Sequence, residues 1–160
     1  MTSSGPFSIA SRSPEETAAI AAALAPHLRA GDVVLLDGDL AAGKTHFVTA
    51  LAAALEAHDA VTSPTFAIAQ FYAAPHASLL HMDVYRLDDI AAFRDLALDE
   101  HFETAITLIE WGGRFAAAFP DHLHIAITVA DELRTLTVSA QGPRWAPVLA
   151  TLRTGPGAQC

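Results

Sequence analysis

Residues 38–45 read GDLAAGKT and fit the pattern G-x-x-x-x-G-K-[ST], in which each fixed position has a task on a polyphosphate. Gly38 and Gly43 let the chain curl so that successive N–H groups across Asp39, Leu40, Ala41 and Ala42 turn inward. The helix that follows, entered through His46, adds its N-terminal dipole. Lys44 reaches the β- and γ-phosphates as a compact charge on a flexible stem, a role that a planar guanidinium does not fill in the same way. The chain has eight arginines and a single lysine, and the lysine stands here. The Thr45 hydroxyl is placed to ligate Mg²⁺. A chance match in a glycine-containing turn is the bland alternative. The apolar run at 33–36 before the loop and the helical spacing of 46–55 after it argue for a nucleotide site.

Phosphoryl transfer also needs a carboxylate on the metal and a group that places the attacking water. Asp83 in LLHMDVYR and Glu110 in ITLIEW each end a mostly apolar run, which puts them at the carboxyl edge of a sheet, where α/β proteins hold ligands. Either acid taken alone reads better as the cap of a following turn; beside a phosphate loop, at least one of the two is expected to face the metal. Thr65, in SPTF some twenty residues beyond the loop, lies where switch segments sit, and an ordinary turn explains it as well. His81, His122 and His124 have no cysteine or i, i+4 histidine partners of the zinc type, so structural or solvated roles fit them better. Asp88, Asp89, Asp95, Asp99 and Glu100 read as a solvated acidic face. Trp145 and Phe115 read as packing residues.

Several elements must position these groups. Ser13, Pro14 and Glu16 open a helix as a capping box, and Pro26 ends or kinks it. Strand, loop and helix follow. AIAQFY and SLLHMDV read as two strands around a turn, and DDIAAFRDLALDEHF as helix in two pieces. AITLIEW is a continuous apolar strand, and GGRFAAAFP a short helix or loop. HLHIAITVA and RTLTVSA form a hairpin around DEL, and PRWAPVLATL is a last short helix. The expected fold is α/β: one P-loop NTPase-like domain over 1–160, its mixed sheet flanked by helices, with 1–7 and 154–160 flexible.

Composition narrows the function. A chain of 160 residues, 52% hydrophobic, suits one core. A net charge of −9 argues against a protein that grips nucleic acid by its own surface, because phosphate neutralisation needs clustered cations. The single cysteine, Cys160, allows no internal disulfide, and no apolar stretch suits a signal or a membrane span. A soluble cytoplasmic protein is expected.

In order and spacing, GDLAAGKT, SPTF, HMDVYRLDD, LALDEHF and LIEW resemble the TsaE family, small bacterial ATPases required for threonylcarbamoyladenosine modification of tRNA. The likeness runs from about residue 13 to 134, and its specificity comes from H-x-D-x-Y-R followed by L-I-E-W. The resemblance implies that Lys44 and Thr45 bind ATP phosphate and Mg²⁺, with Glu110 a second metal ligand. It implies that Asp83 is a catalytic or water-positioning acid and Thr65 a switch threonine. Trp111 resembles the family's tryptophan beside the site, and Thr17 a threonine near the nucleotide. The implied partners are TsaD- and TsaB-type proteins, with tRNA reached only through them. Ala41 departs from the family's usual third glycine, and an alanine fits if its φ is negative. A small-molecule kinase is the rival enzyme, although only scattered arginines follow the loop. A nucleotide-gated binding module with negligible turnover is the non-enzymatic alternative.

Overall fold

The computed structural model describes residues 5–39, 42–57 and 69–155. After strand β1 (Phe7–Ser11), Ser13 caps helix α1 (Pro14–Leu24) by accepting the Glu16 N–H at 3.1 Å. The Glu16 carboxylate reaches back to the N–H of Arg12 at 2.5 Å, so two donors at the helix start are satisfied. At Pro26 the chain tightens into a 3₁₀ turn, Ala25–His27.

Strand β2 (Val33–Asp37) leads into helix α2 (Lys44–Ala54). Strands β3 (Ala69–Tyr72) and β4 (Ser78–Asp83) come next, then the short helices α3 (Ile90–Arg94) and α4 (Asp99–Thr104). Strand β5 (Ala105–Glu110) precedes a 3₁₀ segment, Gly112–Ala118. Strands β6 (His122–Ala130) and β7 (Leu133–Gln141) form a hairpin, and a 3₁₀ turn at Pro143–Trp145 runs into α5 (Ala146–Arg153).

The seven strands make one sheet in the order β1-β7-β6-β2-β5-β4-β3. The four inner strands β6, β2, β5 and β4 are parallel, and the outer ones pair antiparallel. Parallel inner strands are covered on both faces, which is why 33–36 is wholly apolar and 105–109 apolar apart from the buried Thr107. In β2 the side chains alternate between two cores. Val34 and Leu36 join Ile20, Phe47, Leu51 and Leu149 on one face; Val33 and Leu35 join Phe93, Phe115 and Phe119 on the other. Each fully buried leucine contributes about 1.5–3 kcal/mol.

Strand β1 corrects the expectation of a loose end through residue 7. Phe7 opens the strand and pairs with Val138, with Ile9 buried opposite Leu136. Arg153 fixes the entry by donating to Gly5 O at 2.8 Å and stacking over the Phe7 ring. Thr154 and Gly155 close the last turn of α5 through bonds to Thr151 O and Leu152 O. The SPTF segment, residues 156–160 and the start of AIAQFY lie outside the described residues. Among the described residues, no helix is long and apolar enough to cross a membrane.

Candidate nucleotide site

The parallel inner strands set the carboxyl ends of β2, β5 and β4 side by side, with Leu36 opposite Glu110 and Glu110 opposite Asp83. The chain leaves β2 at Gly38, where φ is +149° and a Cβ would stand 2.6 Å from Ile127 O on β6. Only glycine lets the backbone pass there. Gly43 turns into α2 with φ +111°, again in the left-handed region. Leu40, Ala41 and Thr65 lie outside the described residues.

Lys44 is only 5% exposed. Its Nζ donates to Gly38 O at 2.5 Å and Asp39 O at 3.0 Å, and lies 4.1 Å from the Trp111 ring centroid. Burial holds the ammonium pKa below its ordinary value, against the opposing pull of Glu110, Asp83, Asp37 and Asp39. Such an ammonium gains most from a polyphosphate that supplies charge at short range.

Beside it, Thr45 Oγ1 donates to Glu110 Oε1 at 2.8 Å. Glu110 Oε2 is 2.6 Å from His81 Nε2. A hydroxyl and a carboxylate set together are hard oxygen donors of the kind Mg²⁺ takes, so this pair fits that ion. Asp83 accepts the Tyr85 N–H at 3.0 Å, so it caps the turn after β4 while also facing the cleft. Trp111 sits in the left-handed region at φ 64°, held by its N–H to Leu36 O at 2.6 Å. There the indole meets both the Lys44 ammonium and the Tyr85 ring, whose centroid is 4.9 Å away.

One cleft of about 440 Å³ takes in Gly43, Lys44, Thr45, His46, Asp83, Glu110 and Trp111, together with Thr17 of α1. The Thr17 hydroxyl is already bonded to Ser11 Oγ at 2.6 Å, and His46 Nε2 lies 3.0 Å from Pro14 O, which ties α1 to α2. Gly38, Asp39 and Ala42 support the loop from behind: the first two hold Lys44, and Ala42 O accepts from Arg134 Nε at 2.9 Å. Sequence reasoning assigned no role at this cleft to Arg134, which lines it, or to His81, which reaches Glu110. Arg134 arrives from β7, paired opposite Ser11, and only the sheet order reveals that.

A second polar cluster braces the same strand ends. Asp37 Oδ2 is 2.6 Å from His124 Nε2, and Gly113 N–H points at Oδ1 from 3.4 Å. Burial alone would raise the Asp37 pKa, but the His124 hydrogen bond and charge, the Gly113 N–H and Lys44 outweigh it and hold it below the ordinary value. A Cβ on Gly113 would lie 2.0 Å from Asp37 Oδ2, so a larger residue there must displace the Asp37 carboxylate from its place beside His124.

Loop, strand-end acids and sheet order together define a P-loop NTPase-like α/β domain. Residues 11–136 match the protein-family model for the threonylcarbamoyl adenosine biosynthesis protein TsaE. The chain belongs to the TsaE family. It is similar to the tRNA threonylcarbamoyladenosine biosynthesis protein TsaE of Bacillus subtilis (strain 168), 42% identical over 135 residues, covering 82% of this chain and 84% of the relative. The Treponema pallidum (strain Nichols) protein of the same name is 41% identical over 132 residues, covering 81% and 97%. The crystal structure of Bacillus subtilis YdiB superimposes with a TM-score of 0.76 at 33% identity over 95% of each chain.

Proposed function

We propose that this chain binds ATP with Mg²⁺ and hydrolyses it slowly alone and faster beside TsaD- and TsaB-type proteins. In that role it serves threonylcarbamoyladenosine modification of tRNA in the cytoplasm. The observation that carries the reading is the Thr45–Glu110 hydrogen bond of 2.8 Å, which brings a loop hydroxyl and a strand-end acid together beside a buried lysine.

Lys44, released from the carbonyls of Gly38 and Asp39, turns its charge to the β- and γ-phosphates. Thr45 and Glu110 hold Mg²⁺, which when bound neutralises charge building on the phosphate oxygens. Asp83, one strand over, orients the attacking water by accepting its hydrogen bond. Trp111 keeps Lys44 aligned through its ring face. Thr65 is assigned the switch role, responding to the γ-phosphate.

ATP binding by calorimetry, with and without Mg²⁺, tests the reading. Wild type binds, and Lys44→Ala loses about 10²–10³ in turnover together with most of its affinity. Near-normal hydrolysis by Lys44→Ala would sink the proposal.

A further inference from the structure

His81 stands in β4 between the buried Leu80 and Met82 and is itself only 1% exposed. It pairs in register with Leu108, so the ring leans diagonally along β5 to meet Glu110 two residues on. Its Nε2 stands 2.6 Å from Glu110 Oε2, while Thr45 holds Oε1 at 2.8 Å. A carboxylate has no proton to give, so Nε2–H is the donor. The other ring nitrogen, Nδ1, is buried with no hydrogen-bond partner among the described residues. A ring kept for packing alone would pair both nitrogens or give way to an apolar side chain, because a buried unpaired polar atom is destabilising.

We infer that His81 is a positioning residue for Glu110: by occupying Oε2 it fixes the carboxylate and turns Oε1 toward Thr45, on the side where Mg²⁺ is held. This rests on the Mg²⁺-nucleotide reading above. His81 touches neither nucleotide nor water in this scheme; it acts through the metal ligand, as hydrogen-bond partners behind metal ligands do elsewhere.

The experiment measures binding of a fluorescent ATP analogue to the full chain as Mg²⁺ is titrated, with each variant's melting temperature recorded alongside. His81→Leu removes the donor at similar size, whereas His81→Gln keeps an N–H near the Nε2 position. His81→Leu should need about 10–100-fold more Mg²⁺ for half-maximal tightening, with its Mg²⁺-free affinity unchanged, and His81→Gln should recover most of the loss. In a Glu110→Ala background, adding His81→Leu should shift the Mg²⁺ midpoint no further. If His81→Leu does not fold, His81→Asn takes its place, since the shorter amide falls short of Oε2. A wild-type midpoint in the donor-less variant, or equal shifts with and without the donor, overturns the inference. A wild-type chain whose binding ignores Mg²⁺ overturns the nucleotide reading itself, and the inference with it.

Discussion

Asp83 and Glu110 lie opposite one another on adjacent strands, yet their partners differ. Glu110 is 3% exposed and engaged by Thr45 and His81; Asp83 is part-exposed and, among the described residues, hydrogen-bonds the Tyr85 N–H alone. Their variants should therefore fail differently. Glu110→Ala should raise the Mg²⁺ requirement, while Asp83→Asn should keep nucleotide affinity and lose turnover, as parallel binding and rate titrations will show. Unchanged Mg²⁺ and rate profiles in both would reject the assignment. Asp37 gives a pH prediction. Its folded pKa lies below the ordinary 3.8, so the stability it contributes is complete above that value and is lost as pH falls through the depressed one. Asp37→Asn should melt lower than wild type at neutral pH, by about 1 kcal/mol, with the difference fading in acid below 3.8. A gap that does not narrow at all as the solution is acidified below 3.8 would contradict the His124 pairing as its source. At this scale Lys44, Thr45, Asp83 and Glu110 were legible because fixed spacing and strand-end position mark them. His81 and Arg134 were not, because their roles depend on which strands are neighbours.

The central strands were legible for a physical reason: with both faces covered, β2 and β5 carry no alternation to confuse the reading. The same holds for the capped start of α1, where Ser13 and Glu16 act locally. Strand β1 escaped because its five residues take their pairing from β7, whose partners lie far along the chain. At the loop, the junction of β2 with β6 is the sensitive element. Gly38→Ala puts a Cβ 2.6 Å from Ile127 O at a strained φ, so the loop must lift away from the sheet. ATP affinity should fall at least tenfold, and the melting temperature should drop. Wild-type affinity in Gly38→Ala would show that the loop does not need this close approach. In the core, Leu108→Ala empties a fully buried position in β5 and should cost about 2–5 kcal/mol in denaturant unfolding. A loss below about 1 kcal/mol would mean the two cores repack around the gap.

The whole molecule is acidic, with a net charge of −9, and its lone lysine is consumed inside the cleft. Arg144 is bound to Asp32 and His27 O, Arg114 to Val84 O and Tyr85 O, and Arg134 to Ala42 O, so several of the arginines serve internal bonds. With this charge the chain is expected not to bind tRNA tightly by itself at physiological salt, because phosphate neutralisation needs clustered cations. On the reading proposed above, the contribution to tRNA modification would pass through a partner protein, and if that partner prefers the ATP-bound form, its binding and that of ATP must favour one another by the same factor. The deciding measurement is steady-state ATP turnover in four mixtures: the chain alone, with tRNA, with a TsaD–TsaB pair, and with both. Slow hydrolysis alone, a marked rise with the pair, and no comparable rise with tRNA alone are the expected results. Strong stimulation by tRNA without the pair, or no hydrolysis in any mixture, would contradict the proposed role.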